Sequence, residues 1–288
     1  MQFKRKMNLK RKIDPNKPKI KLPSGKSYIT VKNIVNKYKL HTICESGNCP
    51  NMQECWGVGT ATFMILGDIC TRSCKFCSVK TGKPFPPDEK EIENIAMSVK
   101  LMKLKHCVIT SVDRDDLIDG GASFWAKTIR KVKELNPYTT IETLIPDFKG
   151  KEELLQIVID AKPDVISHNL ETVRRLTPKV RVQAKYDRSL SVIKYIASKG
   201  IKAKSGIMLG LGETESEIYD TMDDLLNVGC KIITIGQYLQ PTKNNISVER
   251  YISDFEFDKY GDIAKNKGFL FAESASLVRS SYHADKHV

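Results

Sequence analysis

The chain has 288 residues, of which 41% are hydrophobic, so it can form one large domain or two small ones around a sizeable core. Its net charge of +13 is concentrated in residues 1–40, which carry thirteen Lys or Arg and one acid, Asp14, while the rest is nearly neutral. This distribution argues against a nucleic-acid-binding body, and the lack of a long apolar span or secretory signal leads us to expect a cytoplasmic protein with no membrane partner.

The basic arm, residues 1–40, comes first, and three interpretations of it stay open. Blocks of like charge are usually solvated, flexible tails. A positive segment could instead dock an acidic macromolecular partner. A transit peptide fits least well, because the arm is rich in Lys and contains little Ser or Arg.

Six of the eight cysteines follow within one window of the sequence, as two triplets with different spacing. They are Cys44, Cys49 and Cys55 in C-x4-C-x5-C, and Cys70, Cys74 and Cys77 in C-x3-C-x2-C. A structural zinc ion normally has four protein ligands, whereas a cluster iron without a fourth protein ligand can bind another molecule. The triplets therefore favour two iron–sulfur sites, and structural zinc is the alternative. Cys107 and Cys230 stand apart in apolar stretches and are interpreted as buried, inert thiols.

Beyond the cysteines, apolar runs of strand length alternate with segments of helical periodicity. The runs are mostly rich in Val, Ile and Thr, as buried strands are. The predicted strands are 62–69, 106–112, 140–146, 164–170, 202–209 and 231–239. The predicted helices are 88–104, 151–161, 188–199 and 213–228. Gly200 and Gly229 are placed to end the last two helices, and Thr214 with Glu217 is predicted to form a capping box.

Six strand–helix units in series predict an α/β fold with a parallel sheet and crossover helices. Their number allows an open doubly wound sheet or an incomplete barrel, and both place chemistry at the carboxyl ends of the strands. Three polar features fall at that edge: the second cysteine triplet, the loop 113–121 and the glycine-rich segment 210–213. Asp113, Asp115, Asp116 and Asp119 are interpreted as a turn and a helix start rather than as metal ligands.

The second triplet, C-T-R-S-C-K-F-C at 70–77, resembles the signature of the radical S-adenosylmethionine (SAM) enzymes. In that superfamily three cysteines hold a [4Fe–4S] cluster, and its open iron binds the amino and carboxylate groups of SAM. An electron from the cluster then cleaves SAM to a 5′-deoxyadenosyl radical. The aromatic residue of the signature, here Phe76, lies near the adenine.

Other segments are similar to the lipoyl synthase family, in chain order over about residues 17 to 286. They are L-H-T-I-C-E-S-G-N-C-P-N with E-C-W, D-D-L-x-D-G-G-A, H-N-L-E-T, K-S-G-I-M-L-G-L-G-E and V-R-S-S-Y-H-A. The resemblance implies an incomplete (β/α)6 TIM-type barrel with N- and C-terminal extensions. We expect four regions: a basic arm at 1–40, a cluster-binding extension at 41–60, the partial barrel at 61–268 and a closing C-terminal segment at 269–288.

The resemblance also implies a reaction, in which two sulfur atoms are inserted at C6 and C8 of an octanoyl group on a carrier-protein lysine. Each sulfur requires one SAM, and a second, auxiliary [4Fe–4S] cluster is the sulfur source. The implied partners are octanoylated lipoyl domains of 2-oxoacid dehydrogenase E2 or glycine cleavage H protein. An electron donor such as flavodoxin or ferredoxin and a cluster-repair carrier complete the set, with no nucleic acid.

Carried over by position, Cys70, Cys74 and Cys77 would hold the SAM cluster. The auxiliary cluster would be held by Cys44, Cys49, Cys55 and Ser281, with Ser280 as the fallback. Serine oxygen is a harder and weaker partner for iron than thiolate, so it could leave when sulfur is removed.

Contacts with SAM are expected from six residues: Phe76, Gly120, Gly121, Asn169, Glu171 and Arg181. Gly120 and Gly121 would let backbone approach the ligand. Asn169 and Glu171 would bond the ribose or the amine, and Arg181 would pair with the carboxylate. The sequence V-Q-A-K-Y-D at 182–187 departs from the Pro- and Gly-containing stretch expected there, which affects Arg181 most.

Two further hypotheses follow. A zinc-stabilised nucleic-acid-binding protein with a basic arm is the alternative from another class, and it predicts affinity that falls steeply with salt. If the chain acts on carriers, we expect the lysines of the arm to steer acidic carrier domains toward the site.

Overall fold

The computed structural model describes residues 14–19, 25–57 and 61–288. These ranges contain ten strands and ten α-helices. The strands are β1 (His41–Thr42), β2 (Thr62–Ile65), β3 (Ile69–Cys70), β4 (Lys80–Thr81), β5 (His106–Ser111), β6 (Thr140–Leu144), β7 (Val165–Ser167), β8 (Lys202–Leu209), β9 (Ile232–Gln237) and β10 (Phe271–Ser274). The helices are α1 (Lys26–Lys37), α2 (Ile43–Ser46), α3 (Met52–Gly57), α4 (Lys90–Leu101), α5 (Ala122–Leu135), α6 (Glu152–Ile159), α7 (Thr177–Val180), α8 (Tyr186–Ser198), α9 (Glu215–Asn227) and α10 (Asp254–Lys267). Short 3-10 turns lie at Phe148–Gly150 and Ala284–His287.

One eight-stranded sheet organises the chain, in the order β1-β2-β5-β6-β7-β8-β9-β10. All pairs are parallel except β1 with β2, and β3 pairs with β4 in a separate two-stranded sheet. Sequential parallel strands joined by helices build the partial TIM-type barrel expected from the sequence. The carboxyl ends of its strands meet at one rim.

The helices cover the sheet with apolar faces. In α4, Ile95 and Val99 are buried, and in α5 Ile129 and Val132 are buried opposite them. This spacing of three to four residues keeps each apolar stripe on one side of its helix, where it packs on the strands. The core therefore runs continuously from the outer helices to the inside of the barrel.

The predicted strands and helices all occur, with ends shifted by a few residues. Strand β2, predicted as 62–69, is shorter than expected. Leu66 and Gly67 adopt positive φ angles of 69° and 90°, which stops the extended chain after Ile65. The capping box of Thr214 and Glu217 is confirmed, as are the positive φ angles at Gly200 and Gly229. The parallel strand β10 was not predicted, and it extends the series from six strands to seven.

The end of the basic arm is folded onto the body. Val31 and Val35 of α1 are buried, and the ring of Tyr28 lies 5.2 Å from that of Trp56 in α3. The six arm cations named in the steering hypothesis lie outside the described residues: Lys4, Arg5, Lys6, Lys10, Arg11 and Lys12. Within the ranges described, no helix combines the length and apolarity needed to cross a bilayer.

Candidate active site

A cavity of about 1020 Å³ opens inside the barrel and brings the two cysteine triplets together. Its lining includes all six thiols: Cys44, Cys49, Cys55, Cys70, Cys74 and Cys77. Along β5 the inward residues His106, Val108 and Thr110 all face it, so the cavity follows this strand along its length. Two motifs that lie apart in the sequence thus share one enclosed space.

The second triplet occupies the loop between β3 and β4, at the rim of the barrel. Its sulfur atoms already accept backbone N–H groups: Arg72 N and Asp113 N lie 3.4 and 3.3 Å from Cys70 Sγ, and Val79 N lies 3.4 Å from Cys77 Sγ. N–H groups aimed at sulfur stabilise thiolate and are among the features that tune iron–sulfur clusters.

The first triplet spans two short helices, with Cys44 in α2, Cys55 in α3 and Cys49 in the turn between them. Thr42 caps α2, accepting the Glu45 N–H, and this places Cys44 in its first turn. Cys49 N donates to Cys44 O at 3.0 Å, and Cys55 N donates to Asn51 O at 2.9 Å. Local backbone bonding thus fixes the three cysteines relative to one another.

Burial disfavours the charged form of these thiols. It raises the pKa of Cys44 to about 11 with the help of neighbouring Cys49, and that of Cys70 to about 11 with the help of Asp113. Burial and Asp113 raise the pKa of Cys74 to about 12. Metal binding at these thiols would therefore release protons. Within the described ranges, no group of three or more His, Cys, Asp or Glu side chains is arranged to hold a metal ion as it stands.

Arg72 lies between Cys70 and Cys74 in the sequence. Its side chain is buried and contacts three carboxylates. Its guanidinium lies 2.7 Å from Asp115, 2.7 Å from Asp147 and 3.3 Å from Asp113. These acids follow β5 and β6, so Arg72 fastens the cysteine loop to the ends of two strands. Burial opposes ionisation of Asp147, but the hydrogen bond and charge of Arg72 prevail and lower its pKa. Of the four aspartates expected to form a turn and a helix start, Asp113 and Asp115 pair with Arg72, Asp116 pairs with Arg114, and Asp119 accepts the N–H groups of Gly121 and Ser123 at the start of α5.

Asn169, Glu171 and Arg181 meet in the cavity, as their assignment to SAM requires. Asn169 Nδ2 donates to Glu171 Oε1 at 3.1 Å, whereas Asn169 Oδ1 is buried without a hydrogen-bond partner. Glu171 has a φ of +64°, a strained conformation that tends to occur at functional sites. The unpartnered oxygen and the carboxylate are therefore free to face a polar ligand.

Hydrogen bonds to a backbone carbonyl and to a side chain orient Arg181. Its Nη1 donates to Leu170 O at 3.0 Å and to Ser189 Oγ at 3.2 Å. Ser189 also bonds His168 Nε2 at 2.9 Å, and His168 Nδ1 lies 2.9 Å from Ile145 O. Burial and the charge of Arg181 lower the pKa of His168 to about 4, so this imidazole is neutral at physiological pH.

Phe76 lines the cavity and packs against a small apolar cluster that includes Val180 and Tyr238. Gly120 and Gly121, in contrast, are not among the cavity-lining residues. Their positive φ angles serve the turn before α5, and a Cβ on Gly121 would come within 2.6 Å of Leu66 Cδ1. Packing explains both glycines, and their predicted contact with SAM has no support in the cavity.

The C-terminal segment closes the side of the cavity next to the first triplet. Asn51 Nδ2 donates to Leu277 O at 2.7 Å, and Tyr282 OH donates to Glu54 at 3.0 Å. Ser280 and Ser281 both line the cavity, and Ser280 Oγ accepts a 2.5 Å bond from Asn169 Nδ2. The serine motif is therefore brought to the cysteines, as the sequence predicted.

Two residues of this region were missed from the sequence. Arg279 is half-buried near Cys49 and Glu171, and desolvation lowers its pKa against the pull of both. Gly236 in β9 lets this segment approach, since a Cβ there would lie 2.1 Å from Val278 O. The sequence signal that could have identified Arg279 was its place in the V-R-S-S-Y motif. It was passed over because a single arginine is usually solvated at the surface.

Solved structures with this fold have low sequence identity to the chain. SuiB from Streptococcus suis, in a structure bound to S-adenosylmethionine, matches with a TM-score of 0.60 and 13% identity, over 79% of this chain and 55% of that one. Methylornithine synthase matches with a TM-score of 0.52 and 15% identity, over 74% and 71%. These similarities show the fold.

The relatives found by sequence are far more similar to the chain than these structures are. Residues 64–225 match the model of the radical SAM superfamily. The chain is 62% identical to a lipoyl synthase from Phocaeicola vulgatus, over 95% of this chain and 96% of that protein. It is 57% identical to a mitochondrial lipoyl synthase from Nematostella vectensis, over 95% and 96%. With a radical SAM domain and this identity over nearly its whole length, the chain belongs to the lipoyl synthase family of sulfur-inserting radical SAM enzymes.

Proposed function

We propose that this chain inserts two sulfur atoms at C6 and C8 of an octanoyl group attached to a carrier-protein lysine. The observation that supports this most is the shared cavity, which both cysteine triplets and the serine motif line. If the two sites did not share a cavity, a radical generated at one site could not reach the carbon atom that receives sulfur from the other. Two separate metal sites in different parts of the molecule would not serve this reaction.

The donor atoms fit two [4Fe–4S] clusters. Cys70, Cys74 and Cys77 would hold the SAM cluster, where backbone N–H groups already point at sulfur. Three thiolates leave one iron open, as SAM binding requires. When bound, this cluster supplies the electron that cleaves SAM to a 5′-deoxyadenosyl radical, and the auxiliary cluster supplies sulfur.

The auxiliary cluster would be held by Cys44, Cys49, Cys55 and Ser281. Ser281 is preferred to Ser280 because the Ser280 hydroxyl is already hydrogen-bonded to Asn169. Half-buried Arg279, near Cys49, would offset part of the negative charge of bound thiolates. The residues thus suit an anionic, sulfur-rich group.

SAM would lie between Phe76 and the polar residues at the ends of β7 and α7. Arg181, fixed by Leu170 O and Ser189, would bind the SAM carboxylate. Asn169 Oδ1 and the Glu171 carboxylate would accept hydrogen bonds from ribose hydroxyls or the amine. The apolar interior that includes Met64 and Val108 would exclude water from the reacting carbons.

The partners follow from the chemistry. The substrate is an octanoylated lipoyl domain, of a 2-oxoacid dehydrogenase E2 or a glycine cleavage H protein. Reduction requires a low-potential donor such as flavodoxin or ferredoxin, and a sacrificed auxiliary cluster requires a repair carrier. A cytoplasmic location would keep the thiols reduced.

The test uses protein reconstituted without oxygen, with an octanoyl-lysine peptide, SAM and dithionite. We expect lipoyl-lysine, with methionine and 5′-deoxyadenosine formed in step. Ser281→Ala should still cleave SAM but make at least about tenfold less lipoyl product, because it loses one ligand of the auxiliary cluster. Ser280→Ala is the comparison variant and should lose less lipoyl product than Ser281→Ala, because Ser280 Oγ bonds Asn169. Fully loaded parent protein that cleaves SAM without forming any lipoyl product would refute the proposal.

A further inference from the structure

A buried ion pair forms the layer directly beneath the cavity. Lys204 Nζ lies 2.8 and 2.9 Å from the two carboxylate oxygens of Glu142, and both side chains have 0% exposure. Side chains of a strand alternate between its two faces, so residues two apart share a face. Glu142 therefore lies on the same face as cavity-lining Leu144, and Lys204 on the same face as cavity-lining Gly206. This pair has no part in the cluster or SAM sites.

Two protons of the Lys204 ammonium are directed to Glu142, and the third is directed to the C-terminal segment. Lys204 Nζ lies 3.2 Å from His287 Nδ1, and an ammonium can only donate. His287 must therefore accept at Nδ1 and carry its own proton on Nε2. Burial, reinforced by the charge of Lys204, lowers the pKa of His287 to about 3, so the neutral form is present throughout the physiological range.

His287 is also packed into the barrel floor. It has 0% exposure, its ring centroid lies 5.5 Å from that of Phe271, and its carbonyl accepts from Lys202 at 3.4 Å. It belongs to the 3-10 turn Ala284–His287, in which Ala284 is buried as well. This turn therefore inserts Ala284 and His287 into the barrel, while Asp285 and Lys286 stay exposed.

Ser281 lies between two attachments of this segment. On one side, Asn51 holds Leu277 at 2.7 Å. On the other, Lys204 holds His287 from inside the barrel. Near the serines themselves, Ser280 Oγ accepts from Asn169 and Tyr282 OH donates to Glu54. Without the contact at His287, the segment that follows Tyr282 would keep buried Ala284 as its attachment to the barrel.

We infer that His287 is a positioning residue, which anchors the C-terminal segment to the Lys204–Glu142 pair and so holds Ser281 at the first cysteine triplet. The role of Ser281 rests on the proposed function, whereas the anchor itself does not. The essential group is the Nδ1 acceptor. Asparagine can present an acceptor oxygen in a similar place, whereas leucine fills the space without one.

The first experiment is hydrogen–deuterium exchange of the full chain without clusters, comparing His287→Leu, His287→Asn and the exposed control Lys286→Ala. In His287→Leu, amides of 278–286 should exchange at least about tenfold faster while those of β5 and β6 are unchanged, because only the segment is released. His287→Asn and Lys286→Ala should stay close to the parent. Unchanged exchange in His287→Leu, or equal acceleration in His287→Asn, would overturn the anchor.

The second experiment measures iron retained by reconstituted protein during challenge with a chelator, with Ser281→Ala alongside. Both Ser281→Ala and His287→Leu should lose the auxiliary half of their iron faster, with the SAM-cluster spectrum unchanged. If Ser281→Ala loses iron and His287→Leu does not, the positioning role is wrong and the proposed function stands. If Ser281→Ala also keeps its iron, the serine ligand is wrong, and the exchange result alone decides whether His287 anchors the segment.

Discussion

Arg72 shows how one side chain can organise a site without touching substrate. It makes two parallel bonds to Asp115, at 2.7 and 2.9 Å, and a third to Asp147 at 2.7 Å. The planar guanidinium matches these carboxylates in a way that no other side chain does. Its acids come from two loops, so Arg72 links the second cysteine triplet to both, alongside backbone bonds from Thr71 N to Asp113 O and from Lys75 N to Val180 O.

Arg72→Gln should destabilise the protein by about 3 kcal/mol, because buried Asp147 loses its nearest cation and keeps only Arg188 at 3.3 Å. Asp147 has no exposed side-chain surface and is the acid most affected. Urea unfolding of the cluster-free protein measures this loss. Lys149→Gln is the matched control, since this half-exposed lysine lies 3.8 Å from Asp115 and should cost at most about 1 kcal/mol. Equal losses in the two variants would contradict a central role for Arg72.

At the scale of elements, α4 holds the end of β2 through one buried carboxyl. Glu91 Oε2 accepts the N–H of Leu66 at 2.7 Å, at the residue where the strand stops. Burial raises the pKa of Glu91 to about 7, against the pull of backbone N–H groups at Leu66 and Gly67. The folded protein therefore holds a proton at this group at a pH where the unfolded chain has released it.

This pKa predicts a pH-dependent stability. Because the folded pKa is raised above its usual value of 4.5, the contribution of Glu91 falls as pH rises from about 4.5 to 7 and is constant above. Glu91→Gln removes this dependence, so relative to the parent it should gain on the order of 2–3 kcal/mol between pH 5 and pH 8. Thermal unfolding across this range measures the gain. Glu93→Gln, a mostly exposed substitution on the same helix, should show little change, and a parallel response would exclude Glu91 as the source.

The sequence predicted these elements best where the signal is local. Val- and Ile-rich runs gave six strands, and the Thr214–Glu217 pair gave the start of α9. Strand β10 and the inserted turn at His287 depend on contacts between distant residues, which periodicity does not record. Gly121 shows the same limit, because its neighbour Leu66 is 55 positions away in the sequence.

The cysteine spacing predicted a radical SAM enzyme, which family membership confirms, whereas the individual contacts with SAM stay predictions. The triplets and the serine motif line one cavity, as expected, and family membership excludes the zinc-stabilised nucleic-acid-binding alternative. Single polar residues carry little signal, so Asn169, Glu171 and Arg181 came from the family resemblance alone. Arg279 was missed because only the fold brings it near Cys49 and Glu171.

At the scale of the whole molecule, charge is divided unequally along the chain. Residues 1–40 contain thirteen of the 47 basic residues and one of the 34 acids. A nearly neutral body with a positive arm would attract an acidic partner from a distance without binding it tightly at the cavity. Such long-range attraction acts on the rate of association.

Replacing Lys4, Arg5, Lys6, Lys10, Arg11 and Lys12 with Ser should slow capture of a folded, acidic octanoyl carrier at low salt by about tenfold, and less at physiological salt. Stopped-flow association at several salt concentrations measures the effect. A short octanoyl peptide should be captured as before. The matched control changes six exposed body lysines to Ser: Lys100, Lys127, Lys151, Lys162, Lys199 and Lys265. Equal slowing by the two variants would assign the effect to net charge and refute steering by the arm.

The bond from Asn51 to Leu277 joins residues 226 positions apart, whereas the second triplet spans only 70–77. On a ribosome, the three thiols of the second triplet emerge together, but the partner segment of the first triplet is made much later. Until then Cys44, Cys49 and Cys55 lack the segment that encloses them. If both triplets hold iron, as proposed, the first would be enclosed for its cluster only after synthesis has passed Ser281.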